Sequence, residues 1–139
     1  MLTESDMFLR MIAAALIGLL IGISRKKKVA GARTFSLFCL GCTIFTIIAI
    51  SDVFGPGSVT DQTRILGQIV TGIGFLGLGV IWKQGAKPTG LTTAAAIWVT
   101  AGVGMLVGLG MWTEVAASSA ITLVIILSRG VFEKLGFEG

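Results

Sequence analysis

Two cysteines are the first residues of this chain whose type and spacing suit chemistry. Cys39 and Cys42 stand in a Cys-x-x-Cys spacing, which other proteins use for metal binding or redox exchange. A zinc site generally needs four ligands, and the sequence contains no histidine to complete one. Both cysteines lie inside an apolar segment, where small thiols can pack between helices. We interpret them as packing residues and expect neither a metal nor another cofactor.

A glycine pattern raises the alternative of a nucleotide site. Gly72, Gly74 and Gly77 satisfy Gly-x-Gly-x-x-Gly, the phosphate-binding fingerprint of dinucleotide-binding folds. That fingerprint has meaning only between a strand and a helix, with an acid about 20 residues further on. Here it lies within an apolar segment, and no acid occurs between Asp61 and Glu114. The pattern therefore indicates helix packing.

Polar residues with a helical spacing follow the longest predicted loop. Arg64, Gln68 and Thr71 stand at i, i+4 and i+7, which places them on one face of a helix. They are candidates for a binding or coupling role. The alternative is that they anchor the helix at the membrane interface with snorkelling side chains.

Further charges lie at a similar depth. Arg10 enters the first apolar segment, and either Asp61 or Glu114 is a candidate ion-pair partner for Arg10 or Arg64. Thr60 is predicted to cap the third helix, with Asp61 in its first turn, where the helix dipole favours an acid.

A basic cluster forms a second candidate site. Two predicted helices begin near it, at Arg33 and at Thr92 and Thr93, and helix N-termini attract anions. We expect this side to bind lipid phosphates or an acidic partner. The alternative is that the charges only set the orientation of the chain. The predicted contact residues are Arg25, Lys26, Lys27 and Lys28.

The elements that position these residues are apolar segments of membrane-spanning length. Apolar residues make up 54% of the 139 residues and charged residues 13%, against roughly a quarter charged in soluble domains. The mean hydropathy is +0.94. About 20 apolar residues cross a bilayer as a helix. We predict an all-α membrane protein, a compact bundle of about five transmembrane helices in a single domain over residues 1–139. The predicted spans are 7–23, 34–50, 64–82, 91–107 and 114–127.

The basic residues predict the orientation of this bundle. All of them except Arg10 and Arg64 fall on loops that alternate helices place on one side, which the positive-inside rule assigns to the cytoplasm. We therefore predict an outer N-terminus and a cytoplasmic C-terminus. Glu4 and Asp6 precede the first span where a signal peptide carries positive charge, so this span is expected to remain uncleaved.

Small residues predict which helices pack closely, because glycine and alanine let helix backbones approach in lipid. The first, third and fourth spans carry them, so we expect these three to form the centre and the second and fifth to face lipid. A homodimer is an alternative use of such a stripe. The predicted packing residues are Gly18, Gly22, Gly72, Gly74, Gly77, Ala96, Gly104 and Gly108.

Several ordered motifs together resemble the MgtC/SapB family of bacterial membrane proteins. They are Gly31-Ala-Arg-Thr34, Arg64-Ile-Leu-Gly-Gln68, Gly90-Leu-Thr-Thr-Ala-Ala95 and Ala101-Gly-Val-Gly104. The match covers the transmembrane domain and not the cytosolic domain that longer members add. Ser24 stands where the family usually has an acid. By position, the functional polar residues that the resemblance implies are Arg33, Asp61, Arg64, Gln68, Thr92 and Thr93.

The resemblance implies a multi-pass protein of the bacterial inner membrane. Such proteins are associated with growth in low magnesium and, in pathogens, with survival inside macrophages. The best-described member is regarded as a regulator that restrains the F-type ATP synthase, which makes that complex a candidate partner beside the lipid bilayer. No nucleic acid partner is expected.

Two functional hypotheses follow. The first is a non-enzymatic regulator that acts through helix contacts and is linked to magnesium limitation, membrane potential or ATP synthase activity. It agrees with the lack of ionisable residues near the middle of any predicted span. The second is a transporter or channel subunit for an ion or small solute, in which the third helix breaks near Gly72 and Gly74. An intramembrane enzyme is disfavoured, because no histidine or nucleophile–base pair can be placed.

Overall fold

Five helices and one short β-hairpin make up the described part of the chain. The computed structural model describes residues 2–25, 30–51, 61–84 and 87–128. The prediction of an all-α membrane bundle is confirmed. The helices are α1 (Glu4–Ile23), α2 (Ala32–Ile50), α3 (Gln62–Leu78), α4 (Leu91–Leu109) and α5 (Trp112–Leu127).

Three of these helices are long and apolar enough to cross a membrane. They are α1 with 20 residues and α2 and α4 with 19 each. The other two are shorter, since α3 has 17 residues and α5 has 16. At 1.5 Å per residue, α3 is about 26 Å long, slightly less than the hydrocarbon core.

A two-stranded hairpin between α3 and α4 is absent from the sequence prediction, which continues the third span to residue 82. The helix instead ends at Leu78, and β1 (Trp82–Gln84) pairs antiparallel with β2 (Lys87–Thr89). Gly90 then turns the chain into α4 with a positive φ of 87°. A side chain there would collide with the carbonyl oxygen of Val80, so this turn requires glycine.

The second helix, α2, lies at the centre of the bundle, which corrects the prediction that it faces lipid. Its buried residues include Phe35, Cys39, Thr43 and Thr46, each with none of its surface exposed. Helix α2 packs against α1 on one side and against α4 on the other. The predicted central helix α3 buries only Ile73 and Gly77 among its residues.

Two glycine pairs explain why α2 is central. They are Gly18 and Gly22 on α1, and Gly104 and Gly108 on α4. A Cβ atom built on Gly18 of α1 would lie 2.5 Å from the carbonyl oxygen of Phe35, and one on Gly22 would lie 2.5 Å from Cα of Ala32. On α4, a Cβ atom on Gly104 would collide with the carbonyl oxygen of Cys39. Both glycine pairs therefore bring their helix backbones against opposite sides of α2, the close approach that small residues permit in lipid.

Hydroxyl groups reinforce both contacts. Ser36 on α2 donates a hydrogen bond of 2.7 Å to the carbonyl oxygen of Ala15 on α1. Thr43 donates one of 2.7 Å to the carbonyl oxygen of Gly104 on α4. A backbone carbonyl next to a glycine is accessible to such a donor because no side chain covers it. The α1–α2–α4 unit is thus held by van der Waals packing and by interhelical hydrogen bonds.

Two predicted packing glycines do not pack. A Cβ atom built on Gly72 or Gly74 of α3 would meet nothing within 4 Å, and one on Gly77 would make only an ordinary contact of 3.8 Å with Ala94. Ala96 on α4 is buried, with 7% of its surface exposed. Gly72 and Gly74 are therefore not covered by another described helix, although Gly72 borders the groove between α3 and α2.

Candidate functional site

An arginine joins the N-terminal part of α1 to the C-terminal end of α4. Nη2 of Arg10 lies 2.8 Å from Oδ2 of Asp6, one turn earlier in α1. Its Nη1 donates a 2.6 Å hydrogen bond to the carbonyl oxygen of Gly108. Only 9% of the Arg10 surface is exposed. We call Asp6, Arg10 and Gly108 the Arg10 clamp.

The end of α4 is shaped to receive this guanidinium group. Gly110 adopts a left-handed conformation with φ of 77°, and its N–H donates to Val107. The N–H of Met111 donates to Leu106, so two of the last carbonyls are satisfied by a Schellman turn. The Gly108 carbonyl is left for Arg10. The positive charge at the negative end of the helix dipole adds to the attraction.

The ion pair differs from the expected one. The sequence suggests Asp61 or Glu114 as the partner of Arg10 or Arg64, whereas Arg10 binds Asp6 on its own helix. The i, i+4 spacing brings Asp6 and Arg10 onto one helix face, which sequence reasoning overlooked. Glu114 and Arg64 are both exposed.

Asp61 caps α3 rather than lying in its first turn. Its Oδ1 accepts hydrogen bonds from the backbone N–H of Thr63 at 3.0 Å and from the Thr63 hydroxyl at 2.6 Å. The hydroxyl hydrogen bond is the main reason that the pKa of Asp61 is lowered, with smaller contributions that include the charge of Arg64. The carboxylate is therefore ionised at neutral pH. Thr60, the predicted cap, lies outside the described residues.

A second buried arginine lies at the other end of α1. Nη2 of Arg25 donates a 2.8 Å hydrogen bond to the hydroxyl of Thr93, in the first turn of α4. Its guanidinium carbon is 5.7 Å from the centre of the Phe35 ring, within cation–π range. Only 5% of its surface is exposed. Arg25 is thus an internal residue, which corrects its prediction as a lipid contact.

The remaining residues of the predicted basic site are distributed differently. Arg33 and Thr92 are exposed, whereas Thr93 is buried against Arg25. Lys26, Lys27 and Lys28 lie outside the described residues. The two buried arginines therefore connect α1 to opposite ends of α4, and both ends of the α1–α2–α4 unit are closed by a positive side chain.

The polar stripe of α3 lies in a different environment. Arg64, Gln68 and Thr71 are all exposed on α3, and Gln68 also borders the groove between α3 and α2. The Thr71 hydroxyl donates to the carbonyl oxygen of Gly67 in its own helix, at 3.1 Å. The stripe is on one face, as its spacing predicts, and no other described element covers it.

Two apolar grooves flank α3. One, of about 390 Å³, lies between α2 and α3 and is lined by residues such as Phe38, Phe45 and Gln68. The other, of about 420 Å³, lies between α3, α4 and α5 and is lined by residues such as Val70 and Trp98. Both volumes reflect how loosely α3 packs.

The cysteines lie in the tight part of the molecule. Cys39 and Cys42 are buried with free thiols, and Cys39 is in the contact of α2 with both Gly18 and Gly104. Within the part of the chain that the structure describes, no group of three or more Cys, Asp and Glu side chains is placed to hold a metal ion.

A family model described as MgtC family matches residues 11–135 of this sequence. The chain belongs to the MgtC family. It is 41% identical over 117 residues to Protein MgtC of Salmonella typhimurium strain LT2, an alignment that covers 83% of this chain and 48% of that protein. It is 39% identical over 140 residues to the putative magnesium transporter YhiD of Escherichia coli K12, covering 96% of this chain and 64% of that protein.

A relative from Synechocystis is 38% identical over 122 residues, covering 86% of this chain and 50% of the relative. The chain thus spans between about half and two thirds of the length of these relatives. No solved structure matches the chain. Family membership and the apolar helices identify a multi-pass membrane protein, and neither the MgtC nor the YhiD name denotes an enzyme.

The contact made by Arg25 lies wholly inside the residues that the family model matches, whereas the contact made by Arg10 lies partly outside them. Arg25 and its partner Thr93 lie inside the matched residues 11–135, as do Arg33, Asp61, Arg64, Gln68 and Thr92. Asp6 and Arg10 lie before the matched range, whereas Gly108 lies within it. The Arg10 clamp therefore joins a position before the family match to one inside it.

Proposed function

We propose that this protein is a non-enzymatic regulator in the bacterial inner membrane, which acts in magnesium limitation by contacting partner membrane proteins. The main support for this proposal is that the interior of the α1–α2–α4 unit is closed. Gly18, Gly104 and Gly108 bring helix backbones into direct contact there, and Arg10 and Arg25 occupy its two ends. A centre filled in this way favours action through the outer surface of the protein.

We also propose how the protein is oriented in the membrane and which surface its partner contacts. The distribution of basic residues supports an outer N-terminus, so Arg33 and Thr92 face the cytoplasm as exposed polar residues. An exposed arginine beside a helix N-terminus suits an acidic partner surface. The family resemblance makes the F-type ATP synthase the first partner to examine.

The test is genetic and uses the full chain. Deletion of the gene is expected to change membrane potential, cellular ATP and growth in low magnesium. Arg33→Gln is expected to reproduce part of that change at unaltered protein level, because it removes an exposed charge without touching the described core. The matched control is Glu114→Gln, which removes an exposed charge from the first turn of α5 at the opposite end. Unchanged potential, ATP and growth after deletion contradict the proposal.

Identification of the partner follows from the same strains. A photocrosslinker placed at Thr92 should capture the regulated complex in native membranes, and one at exposed Ile121 on α5 serves as the control position. Equal capture at both positions argues against a contact surface around Thr92.

A transporter is the second candidate, and the loose packing of α3 favours it. The open space at Gly72 and Gly74 and the grooves beside α3 leave room for this helix to move or break. The name of the Escherichia coli relative also denotes a putative magnesium transporter. Purified protein in liposomes decides between the two functions. Magnesium-dependent flux that Gly74→Leu abolishes supports transport, and absence of flux supports regulation.

A further inference from the structure

One face of α3 is polar, exposed and rich in glycine. Helical spacing places Arg64, Gln68, Thr71 and Gly74 on this face, together with Gly67. All five are exposed. Phe75 and Leu78 extend the same face and expose 75% and 67% of their surfaces. We call this surface the α3 outer face.

Where α3 lies in the bilayer, as its place in this membrane bundle implies, the polar groups on this surface face hydrocarbon in a single copy of the protein. Gln68 lies about 9 Å along α3 from its first residue, at 1.5 Å per residue, beyond the reach of the helix end. An amide that lacks a hydrogen-bond partner in lipid is strongly unfavourable. Elsewhere in the described bundle, Arg10 and Arg25 are buried against partners, whereas Arg33 lies exposed in the first turn of α2, next to the helix end. The α3 outer face therefore calls for a polar partner of its own.

The surface permits a very close helix approach. A Cβ atom built on Gly67 or Gly74 meets nothing within 4 Å, so the backbone of α3 is accessible at two points two turns apart. On α1 and α4, the space beside similarly arranged glycines is already occupied by α2. Another helix can approach α3 in the way that α2 approaches α4, with backbone contact near the glycines and hydrogen bonds beside them.

The polar groups of the surface complement themselves. Asp61 is an exposed carboxylate at the start of α3, and Arg64 is an exposed cation one turn further on. In two parallel copies related by a twofold axis, Arg64 of each copy can reach Asp61 of the other. The Gln68 amide both donates and accepts, so two such amides can pair across the axis. A twofold interface requires this kind of self-complementarity.

We infer that the α3 outer face is the interface of a parallel homodimer, in which the α3 helices of two copies pack at Gly67 and Gly74. Both copies have the same orientation in the membrane, so their α3 helices run parallel by necessity. Asp61 and Arg64 form reciprocal ion pairs at the end where α3 begins. This inference goes beyond the proposed function and does not depend on it.

Cysteine crosslinking tests the geometry directly. Thr71→Cys places a thiol at the centre of the α3 outer face, next to its own copy across the axis. Ile121→Cys is the matched control, because Ile121 is 60% exposed on α5 and lies equally far from the start of its helix. The unmodified chain controls for its two buried thiols. After mild oxidation in liposomes, Thr71→Cys should form disulfide-linked dimers at least tenfold more than Ile121→Cys or the unmodified chain.

Dimer populations in liposomes test the energetics. Gly74→Ile should reduce the dimer at least tenfold by blocking close approach, without disturbing the monomer, since the space around Gly74 is open. Gln68→Leu should reduce it by a smaller factor, because it removes the amide pair and retains the size of the side chain. Ala117→Ile, on the exposed side of α5, is the control for added bulk. Single-molecule photobleaching at low protein-to-lipid ratio counts the copies.

Three results overturn the inference. They are a monomer at every dilution, a dimer that crosslinks equally at Thr71→Cys and Ile121→Cys, and crosslinking of Thr71→Cys only to a different protein in native membranes. The liposomes contain no other protein, so they separate a second copy from another partner. Dimerisation without effects of gene deletion on ATP or potential would leave this inference intact and contradict the proposed function.

Discussion

Helices α3 and α4 are both rich in glycine, yet they use it in opposite ways. On α4, Gly104 and Gly108 lie against the backbone and side chains of α2, where an added Cβ atom has no room. On α3, Gly67, Gly72 and Gly74 face open space. The same residue type therefore closes one surface within the chain and leaves another available for contact. Matched substitutions on the two helices separate these roles.

Bulky substitutions at a packed glycine of α4 and at an open glycine of α3 should differ most in their effect on the free energy of unfolding. Gly104→Leu should lower the free energy of unfolding by more than about 3 kcal/mol, because the side chain meets the backbone of Cys39. Gly74→Leu should change it by less than about 0.5 kcal/mol in a detergent-solubilised monomer. Unfolding by increasing dodecyl sulfate fraction in mixed micelles measures both. Similar losses at the two positions would remove the distinction between α3 and α4.

Substitution of a buried and of an exposed arginine should give the next largest difference in stability. Arg10→Met should destabilise the monomer by about 2–3 kcal/mol, since it removes the ion pair with Asp6 and the hydrogen bond to Gly108. Arg64→Met should be neutral within about 0.5 kcal/mol under conditions where the chain is monomeric, because Arg64 is exposed. The same micelle titration compares the two variants. A neutral Arg10→Met would show that the Arg10 clamp adds little stability.

A smaller contrast concerns threonine. Thr43→Val keeps the shape of the side chain and loses the hydrogen bond to Gly104, so a loss of about 1 kcal/mol is expected. Thr71→Val loses only a hydrogen bond within its own helix and should have almost no effect on the monomer. Hydrogen exchange of the α2 and α4 backbone amides should report the first change. Equal protection in the Thr43→Val variant and the parent chain would contradict it.

The smallest expected effect is a local dependence on pH at the start of α3. The pKa of Asp61 is lowered by the Thr63 hydroxyl, so the stability that its cap contributes is fully present above the ordinary, unfolded-state pKa of 3.8. That contribution is lost as the pH falls below this value towards the lowered pKa. Exchange protection of the first-turn amides of α3 should therefore be constant from pH 7 to 5 and decrease in more acidic solution. Asp61→Asn should abolish the dependence, whereas Asp6→Asn should leave it unchanged.

Apolar length and small-residue spacing were sufficient to predict the number and type of helices and the packing glycines of α1 and α4. They could not identify the helix that those glycines contact. The complementary surface of α2 consists of Ser36, Cys39, Thr43 and Thr46, which are small but are not glycine or alanine. Counting hydroxyl and thiol residues as small would have revealed a stripe along α2 and predicted its central position.

The arginines show the other limit of sequence reasoning. Arg25 stands in the same basic run as Lys26, Lys27 and Lys28, so charge alone assigns all four to the membrane surface. Its burial depends on Thr93 and Phe35, which are distant in sequence and meet Arg25 only after the helices pack. Polar spacing did predict the common face of Arg64, Gln68 and Thr71, because periodicity within one helix needs no tertiary information.

The Arg10 clamp has a consequence for synthesis in the cell. Its two ends are 98 residues apart in the chain, and Gly108 is the later one to leave the ribosome. Until α4 has entered the bilayer, the guanidinium group of Arg10 has only Asp6 and water or lipid headgroups as partners. Helix α1 can pack against α2 as soon as α2 is made, but its Arg10 side chain gains the Gly108 partner only when α4 arrives.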